Sequence, residues 1–448
     1  MTDAAPDAST GEITYARVAA IALPVVLSNA MLPLQGAIDT AIIGNLGEAR
    51  YLAAVALGAT IITLLFVVFN FLQMGVSGLT AQALGAGDHR RVMNTLVRAG
   101  LIALVIAGLL ILFRGPLGAG ALGLFEGSAE AEALGGAYVG IRIWGAPAEL
   151  VNYALLGWFA GQGLTRRMFE MQVVTSLTNI TLNLIFVYGF GWGVEGVALG
   201  TVLAAFTGLG IGLWRVRQRA AEVAPPGWRF EWARILERAE LARVMALNRD
   251  IMIRTVLLAG SFAWMTRLGS LQGDLVLAAN GILLQFLHIA AYALDGFALA
   301  AEALVGQALG AGSRARLRRA VVVSSVSALA LAALFALALT VLSEPMIRLF
   351  TNIEAVREVC RTYVLWVTLL PLVAVIAYQL DGIFIGATEG AMMRNAMIVS
   401  SGVYFPLSHA MTEGFGNHGL WAAVWVYMVL RAVTLALVYP RLEARAGG

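Results

Sequence analysis

Apolar residues run through this chain in long blocks, and polar residues gather in the short gaps between them. Many of the blocks reach the ~20 residues that carry a helix across the hydrocarbon of a bilayer. Twelve stand out, roughly at 16–45, 52–84, 93–113, 134–160, 167–189, 194–214, 244–270, 275–309, 320–342, 360–386, 393–412 and 418–439. They are rich in Gly, Ala and Leu and do not alternate with period two, so they predict closely packed helices rather than a membrane barrel. The predicted fold class is an all-α polytopic membrane protein of twelve transmembrane helices.

The same pattern occurs twice. Residues 52–168 resemble residues 277–393 at a constant offset of 225, without a gap. Gln82-Ala83-Leu84-Gly85-Ala86-Gly87 returns as Gln307-Ala308-Leu309-Gly310-Ala311-Gly312, and Gly157, Phe159, Gly161 and Met168 return as Gly382, Phe384, Gly386 and Met393. Two copies of one apolar unit predict two pseudo-symmetric six-helix lobes across a cavity, an organisation common among secondary transporters. The expected domains are an N-lobe at 1–214, a cytoplasmic linker at 215–243 and a C-lobe at 244–448. Within the linker, Pro225-Pro226-Gly227 precedes an amphipathic stretch from Trp228 to Leu241, expected to form a solvated helix.

Charge orients the chain. It has no lysine, and with the N-terminus inside, twenty of its arginines fall on cytoplasmic segments. Six fall outside: Arg50, Arg114, Arg267, Arg348, Arg357 and Arg361. Positive residues stay inside, so both termini are expected in the cytoplasm. An even number of spans per repeat puts the pseudo-two-fold axis along the membrane normal. The first 15 residues lack the basic start of a cleaved signal and are expected to remain. Cys360 is the sole cysteine, which excludes an intramolecular disulfide. A net charge of +3 gives no reason to expect a nucleic-acid partner.

A charged group at the centre of a spanning helix costs about 2.5–3.5 kcal/mol on insertion scales, so each needs a partner, water or a task. Asp39 lies in the apolar run Ala30–Leu46, about 8 Å inside the outer end of its span at 1.5 Å per residue. A carboxylate held away from water suits proton uptake and release; the alternative is a purely structural hydrogen bond to another helix. Asn179 and Asn183 lie one turn apart on the fifth span, and Thr201 on the sixth can join them, as part of an ion site or as interhelical glue. On the eighth span His288, Asp295 and Glu302 are spaced by seven, with Tyr292 close by. Their counterparts in the first repeat, Thr63, Asn70 and Ser77, are neutral. Asp381, with Arg254 and Asp250 of the seventh span, completes a candidate C-lobe polar cluster, either structural or functional. His409 and Arg431 are expected to snorkel from helix ends. Motifs for ATP hydrolysis, zinc proteolysis or serine hydrolysis are absent, so no enzyme is expected.

These residues resemble the multidrug and toxin extrusion (MATE) family, in its DNA-damage-inducible F (DinF) branch, over essentially all of residues 13–440. The most specific runs are Pro33–Ala41, Leu247–Arg254, Ala291–Phe297 and Leu380–Thr388. The resemblance places the family's acid on Asp39, its helix-bending proline on Pro24, and its polar cluster on Asn179 and Thr201. It implies a V-shaped pair of six-helix lobes in the bacterial inner membrane. That protein would export amphipathic organic molecules in exchange for H+ or Na+, with no cofactor. Many relatives carry Asp where this chain has Asn183, and Asn where it has Leu156. One carboxylate suits a proton better than a hard cation, which wants several oxygen ligands and fixed negative charge. The leading expectation is a monomeric H+-coupled exporter of cationic amphipaths. A Na+-coupled exporter and a flippase for lipid-linked substrates are the alternatives.

Overall fold

The computed structural model describes residues 12–46, 49–123, 129–224 and 231–446. All regular structure among the described residues is helical. Among the described residues, nine helical stretches are each long and apolar enough to cross a membrane: Tyr15–Gly44, Arg50–Gly85, His89–Leu112, Thr165–Gly189, Gly193–Val223, Trp232–Ser270, Asp274–Gly310, Arg314–Phe350 and Gly390–Arg445. Glu354–Thr368 and Leu370–Gly386 make one further span bent by 43°. The remaining two arise from breaks. The fourth span is Ala129–Arg142 and Ala146–Gly161, divided by a 3-10 turn at Ile143–Gly145. The 56-residue Gly390–Arg445 is two spans joined at Gly416, whose φ of 57° is not helical. Among the described residues twelve crossings result, in the chain order the hydrophobic pattern predicts.

Packing divides the chain into two units. One comprises Leu27–Ala83 and Asp88–Val244, the other Met245–Gly448 with Leu84–Gly87 and the chain up to Val26. The first span is therefore shared, with the division two residues past Pro24, and helix is continuous through that proline.

The repeat has a physical content that is visible within each unit. In the first, Gly157 and Gly161 of the fourth span face the backbone of Gln73 and Ser77 on the second span; a Cβ at either glycine would overlap it. In the second, Gly382 and Gly386 of the tenth span meet the backbone of Ala298 and Glu302 on the eighth in the same way. All four pairs are related by the offset of 225. Small residues four apart let two helices close on each other, and in lipid such van der Waals contact replaces the hydrophobic drive between helices.

The repeated Gln-Ala-Leu-Gly-Ala-Gly ends a helix and starts the next. Gly87 (φ 70°) and Gly312 (φ 62°) take the left-handed conformation. Asp88 N–H then donates to Ala83 O at 2.9 Å and Ser313 N–H to Ala308 O at 3.1 Å, closing each helix end. Asp88 and Ser313 cap the following helices by accepting from the backbone N–H of Arg91 and Arg316. Gly85 lies against the Gln307 backbone, which accounts for Leu84–Gly87 packing with the second unit.

The linker differs from the expected single amphipathic helix. Pro225-Pro226-Gly227 lies outside the described residues. A short helix at Trp232–Ile235 ends at Leu236, and a new helix begins at Arg238. Arg98 of the third span, buried, ties this segment down by donating from Nε to Ile235 O at 3.0 Å and from Nη2 to Arg234 O at 3.1 Å. Glu231 and Glu240 take Arg90 (2.6 Å) and Arg91 (3.4 Å). An arginine that satisfies the carbonyls ending a helical turn acts as its C-cap, so the segment is tied to the third span while most of its side chains, Ile235 apart, stay exposed.

Candidate functional site

In the first unit, three spans bring together the residues that the sequence singled out. Asn183 and Asn179, both fully buried on the fifth span, lie one turn apart with their amides in line. Asn183 Nδ2 donates to Asp39 Oδ1 at 2.7 Å and lies 3.3 Å from Asn179 Oδ1. Asn179 Nδ2 donates to Thr201 Oγ1 at 2.9 Å, and Thr201 hands its own proton to Val197 O. The donations run from Asn183 through Asn179 and Thr201 to the Val197 carbonyl, and of these groups Asn183 alone donates to the carboxylate. Gly200 of the sixth span packs on Asn183 Oδ1, where a Cβ would overlap it, so the amide oxygen is held off and the N–H2 is turned to the acid. That orientation suits a carboxylate acceptor; it offers a metal ion few oxygens. Among the described residues, no group of three or more His, Cys, Asp or Glu side chains could hold a metal.

Two flanking contacts fix the first span here. Ser176 Oγ donates to Gln35 Oε1 at 3.1 Å, and Tyr188 Oη donates to Ile42 O at 3.0 Å. Tyr188 lies in the π-helical turn Ile185–Gly189 that ends the fifth span. Such turns recur at functional sites because they redirect side chains that a regular helix would place elsewhere.

The corresponding place in the second unit has lost its charge but kept its contact. At the offset of 225, Asp39 becomes Trp264 and Asn183 becomes Ser408. Trp264 Nε1 donates to Ser408 Oγ at 3.1 Å. One scaffold position thus carries an acid in one copy and an indole in the other.

The C-lobe residues sort differently from their sequence grouping. Asp381 of the tenth span accepts on Oδ2 from Arg254 of the seventh and from Arg431 of the twelfth, the latter at 2.6 Å. Arg431 is only 2% exposed and lies beside the Tyr378 and Tyr427 rings, so it does not snorkel. Its position near a helix end in sequence is overridden by a buried counter-ion two spans away. Asp250 is not in this cluster either. It bonds Arg249 and, at 2.7 Å, Arg394.

Asp295 interacts electrostatically with Arg254, Asp381 and Arg431, but its side chain is exposed where theirs are buried. His288 is exposed on the same helix and Tyr292 is half-buried and within electrostatic reach of Asp295. Glu302 is buried, its backbone lying under Gly386. His409 pairs with Glu413 at 3.3 Å, well exposed. The heptad-spaced set therefore divides into an accessible part, His288 and Asp295, and a buried end at Glu302.

One pair went unnoticed in the sequence. Arg142 and Glu149 of the fourth span meet at 3.0 Å, and Arg142 acts on the charge of Asp39. The available signal was an arginine and a glutamate inside an apolar block, on either side of Pro147.

A family model described as MatE matches residues 24–185 and 251–409, one stretch in each repeat. DNA damage-inducible protein F of Escherichia coli (strain K12) is 39% identical over 425 residues, covering 94% of this chain and 91% of that protein. A probable multidrug resistance protein NorM of Bradyrhizobium diazoefficiens is 29% identical, covering 96% and 93%. Among solved structures, the Vibrio cholerae MATE transporter VcmN in its bent form superposes with a TM-score of 0.84 at 20% identity, over 96% of this chain and 97% of that one. A multidrug resistance MATE family transporter of the MOP superfamily, in an outward-facing conformation, gives 0.86 at 18% identity over 96% of each chain. With the twelve helical crossings and the internal repeat, these likenesses establish that the chain belongs to the MatE family of multidrug and toxin extrusion transporters.

Proposed function

We propose that this protein is a secondary antiporter of the bacterial inner membrane that exports cationic amphipathic compounds in exchange for H+. Asp39 is the coupling group. The observation that carries this reading is the single carboxylate of Asp39, which accepts from the buried Asn183 amide beside Asn179 and Thr201. One acid with one amide donor can take and release a proton, whereas a hard cation needs a cage of oxygens around it. The exposed acid Asp295 supports a cationic substrate, since an accessible carboxylate in a low-dielectric surround attracts positive charge. The names of relatives, a DNA damage-inducible protein and a probable multidrug resistance protein, are in keeping with export of toxic compounds. Both termini are assigned to the cytoplasm, from the arginine distribution, and alternating access carries the substrate.

The test uses everted membrane vesicles and a fluorescent organic cation. Uptake should follow an imposed pH gradient in Na+-free buffer, and Asp39→Asn should abolish coupled uptake while expression and detergent melting stay at wild-type values. Uptake that collapses without Na+ at a constant pH gradient would establish the Na+-coupled alternative. Vesicles that move a lipid-linked anion and no organic cation would establish the flippase.

A further inference from the structure

The ninth span, Arg314–Phe350, begins with a cationic group to which export assigns no task. Arg314, Arg318 and Arg319 are all exposed there. Among the described residues one carboxylate pairs with them, Glu443 at the end of the twelfth span, and it takes Arg314 and Arg318. The first unit treats the start of its third span differently. Linker acids meet the arginines there, Glu231 for Arg90 and Glu240 for Arg91 and Arg98. Two acids serve three arginines in one unit, and one acid serves three in the other.

Arg318 and Arg319 are anchored to different neighbours. Successive residues point about 100° apart around a helix. Arg318 Nε donates to Glu443 Oε1, which also accepts from Arg314 Nε at 3.3 Å. Arg319 Nε donates to the carbonyl of Ile13, ahead of the first span, at 3.1 Å. Both side chains are thus fixed through Nε, and the terminal Nη groups of neither donate to a described residue. A guanidinium presented in this way offers a planar fork of N–H groups that matches phosphate oxygens.

The helix surface changes character one turn further in. Val322, Val326 and Leu329 follow Arg318 at intervals of four, four and three residues, and they are 56%, 48% and 47% exposed. By helical angle all three fall between Arg318 and Arg319. On a spanning helix such an apolar face meets acyl chains. Cation gives way to hydrocarbon along this face, as phosphate gives way to acyl chain along a phospholipid.

We infer that the exposed face of the ninth span binds an anionic phospholipid. The Arg318 and Arg319 guanidiniums take its phosphate, and its acyl chains lie on Val322, Val326 and Leu329. Basic groups where spanning helices leave the membrane recognise acidic head groups by this chemistry. Arg314 adds attraction, and Glu443 positions Arg318. The site is separate from Asp39 and its donors, so the inference stands whichever cation couples transport.

The test is lipid retention by the full-length protein, read by native mass spectrometry from micelles holding phosphatidylglycerol and phosphatidylcholine in equal amounts. Wild type should keep phosphatidylglycerol in preference. R318Q/R319Q, which leaves Glu443 paired with Arg314, should lower the affinity for phosphatidylglycerol about tenfold and leave phosphatidylcholine unchanged. Arg348→Gln is the control, an exposed arginine at the far end of the same helix, and should match wild type. Arginines that served orientation alone would give no head-group preference. No preference in wild type, a preference that survives in R318Q/R319Q, or an equal loss in Arg348→Gln overturns the site. So does displacement of phosphatidylglycerol by millimolar inorganic phosphate, which would make the ligand a free phosphate. Should the double variant fold poorly, Arg319→Gln decides: it removes one bond to a carbonyl and must still weaken phosphatidylglycerol binding about threefold.

Discussion

Asp381 and Asp295 lie in one electrostatic cluster, and their surroundings give them different work. Asp381 is buried and holds both Arg254 and Arg431 on one oxygen. Removing its charge strands two buried guanidiniums, and breaking a buried pair from one side costs about 3–5 kcal/mol. Asp381→Asn should therefore lower detergent melting sharply. Asp295 is exposed, so Asp295→Asn should leave melting near wild type and weaken binding of a cationic substrate relative to a neutral one. Melting and binding measured on both variants check the contrast; a large melting loss in Asp295→Asn with unchanged affinities would make that acid structural. The sequence exposes these residues to different degrees. Asp39 is conspicuous as an acid in an apolar run, and Asn179 and Asn183 share a helix face by spacing alone. The partners of Asp381 are not legible, because Arg254, Asp381 and Arg431 lie on the seventh, tenth and twelfth spans and only packing joins them. Arg142 hid for a related reason: the turn that brings it to Glu149 is a local break that a hydropathy block does not register.

At the scale of the helix, the repeat records contacts rather than mere ancestry of pattern. Gly157 and Gly161, with Gly382 and Gly386, occur where two backbones touch, and the offset of 225 carries each contact from one unit to the other. Gly386→Ala should destabilise by about 1–3 kcal/mol, because its Cβ would overlap the rigid backbone of Glu302 and not the end of a flexible side chain. Gly402→Ala is the control. Nothing lies within 4 Å of the Cβ it would add, and alanine is the better helix former by about 1 kcal/mol, so melting should hold or rise. Equal losses at the two sites would mean that close approach is not what the repeated glycines provide. Spans were legible from apolar length, and breaks were not. The fourth and tenth spans break at corresponding places, Ile143–Gly145 and Leu369, each beside a proline at the start of the next segment, Pro147 and Pro371. Thr388 shows the limit of copying by offset. It takes φ 57° where the first repeat has Gly163 at φ 73°, so the backbone turn persists although the residue suited to it has changed.

For the molecule as a whole, the arginine distribution makes a directional statement that labelling can test. Twenty arginines on one set of segments and six on the other favour the orientation proposed, with both termini inside, because positively charged loops resist translocation. The protein is favourable for such a test. Its sole cysteine, Cys360, is buried, with Sγ 3.8 Å from Ala279 O, and Cys360→Ala removes the background at the cost of one small buried side chain. Arg166 and Arg348 are suitable reporters, since their side chains are 72% and 63% exposed. Arg166 opens the fifth span and Arg348 closes the ninth, so with both termini inside, Arg166 faces the cytoplasm and Arg348 the outside. In intact cells, a membrane-impermeant maleimide should label Arg348→Cys and spare Arg166→Cys; in everted vesicles the pattern should reverse. Labelling of Arg166→Cys in intact cells would invert the orientation. Antiport would still exchange entering H+ for leaving substrate, but the Asp39 end of the first span would then lie towards the cytoplasm.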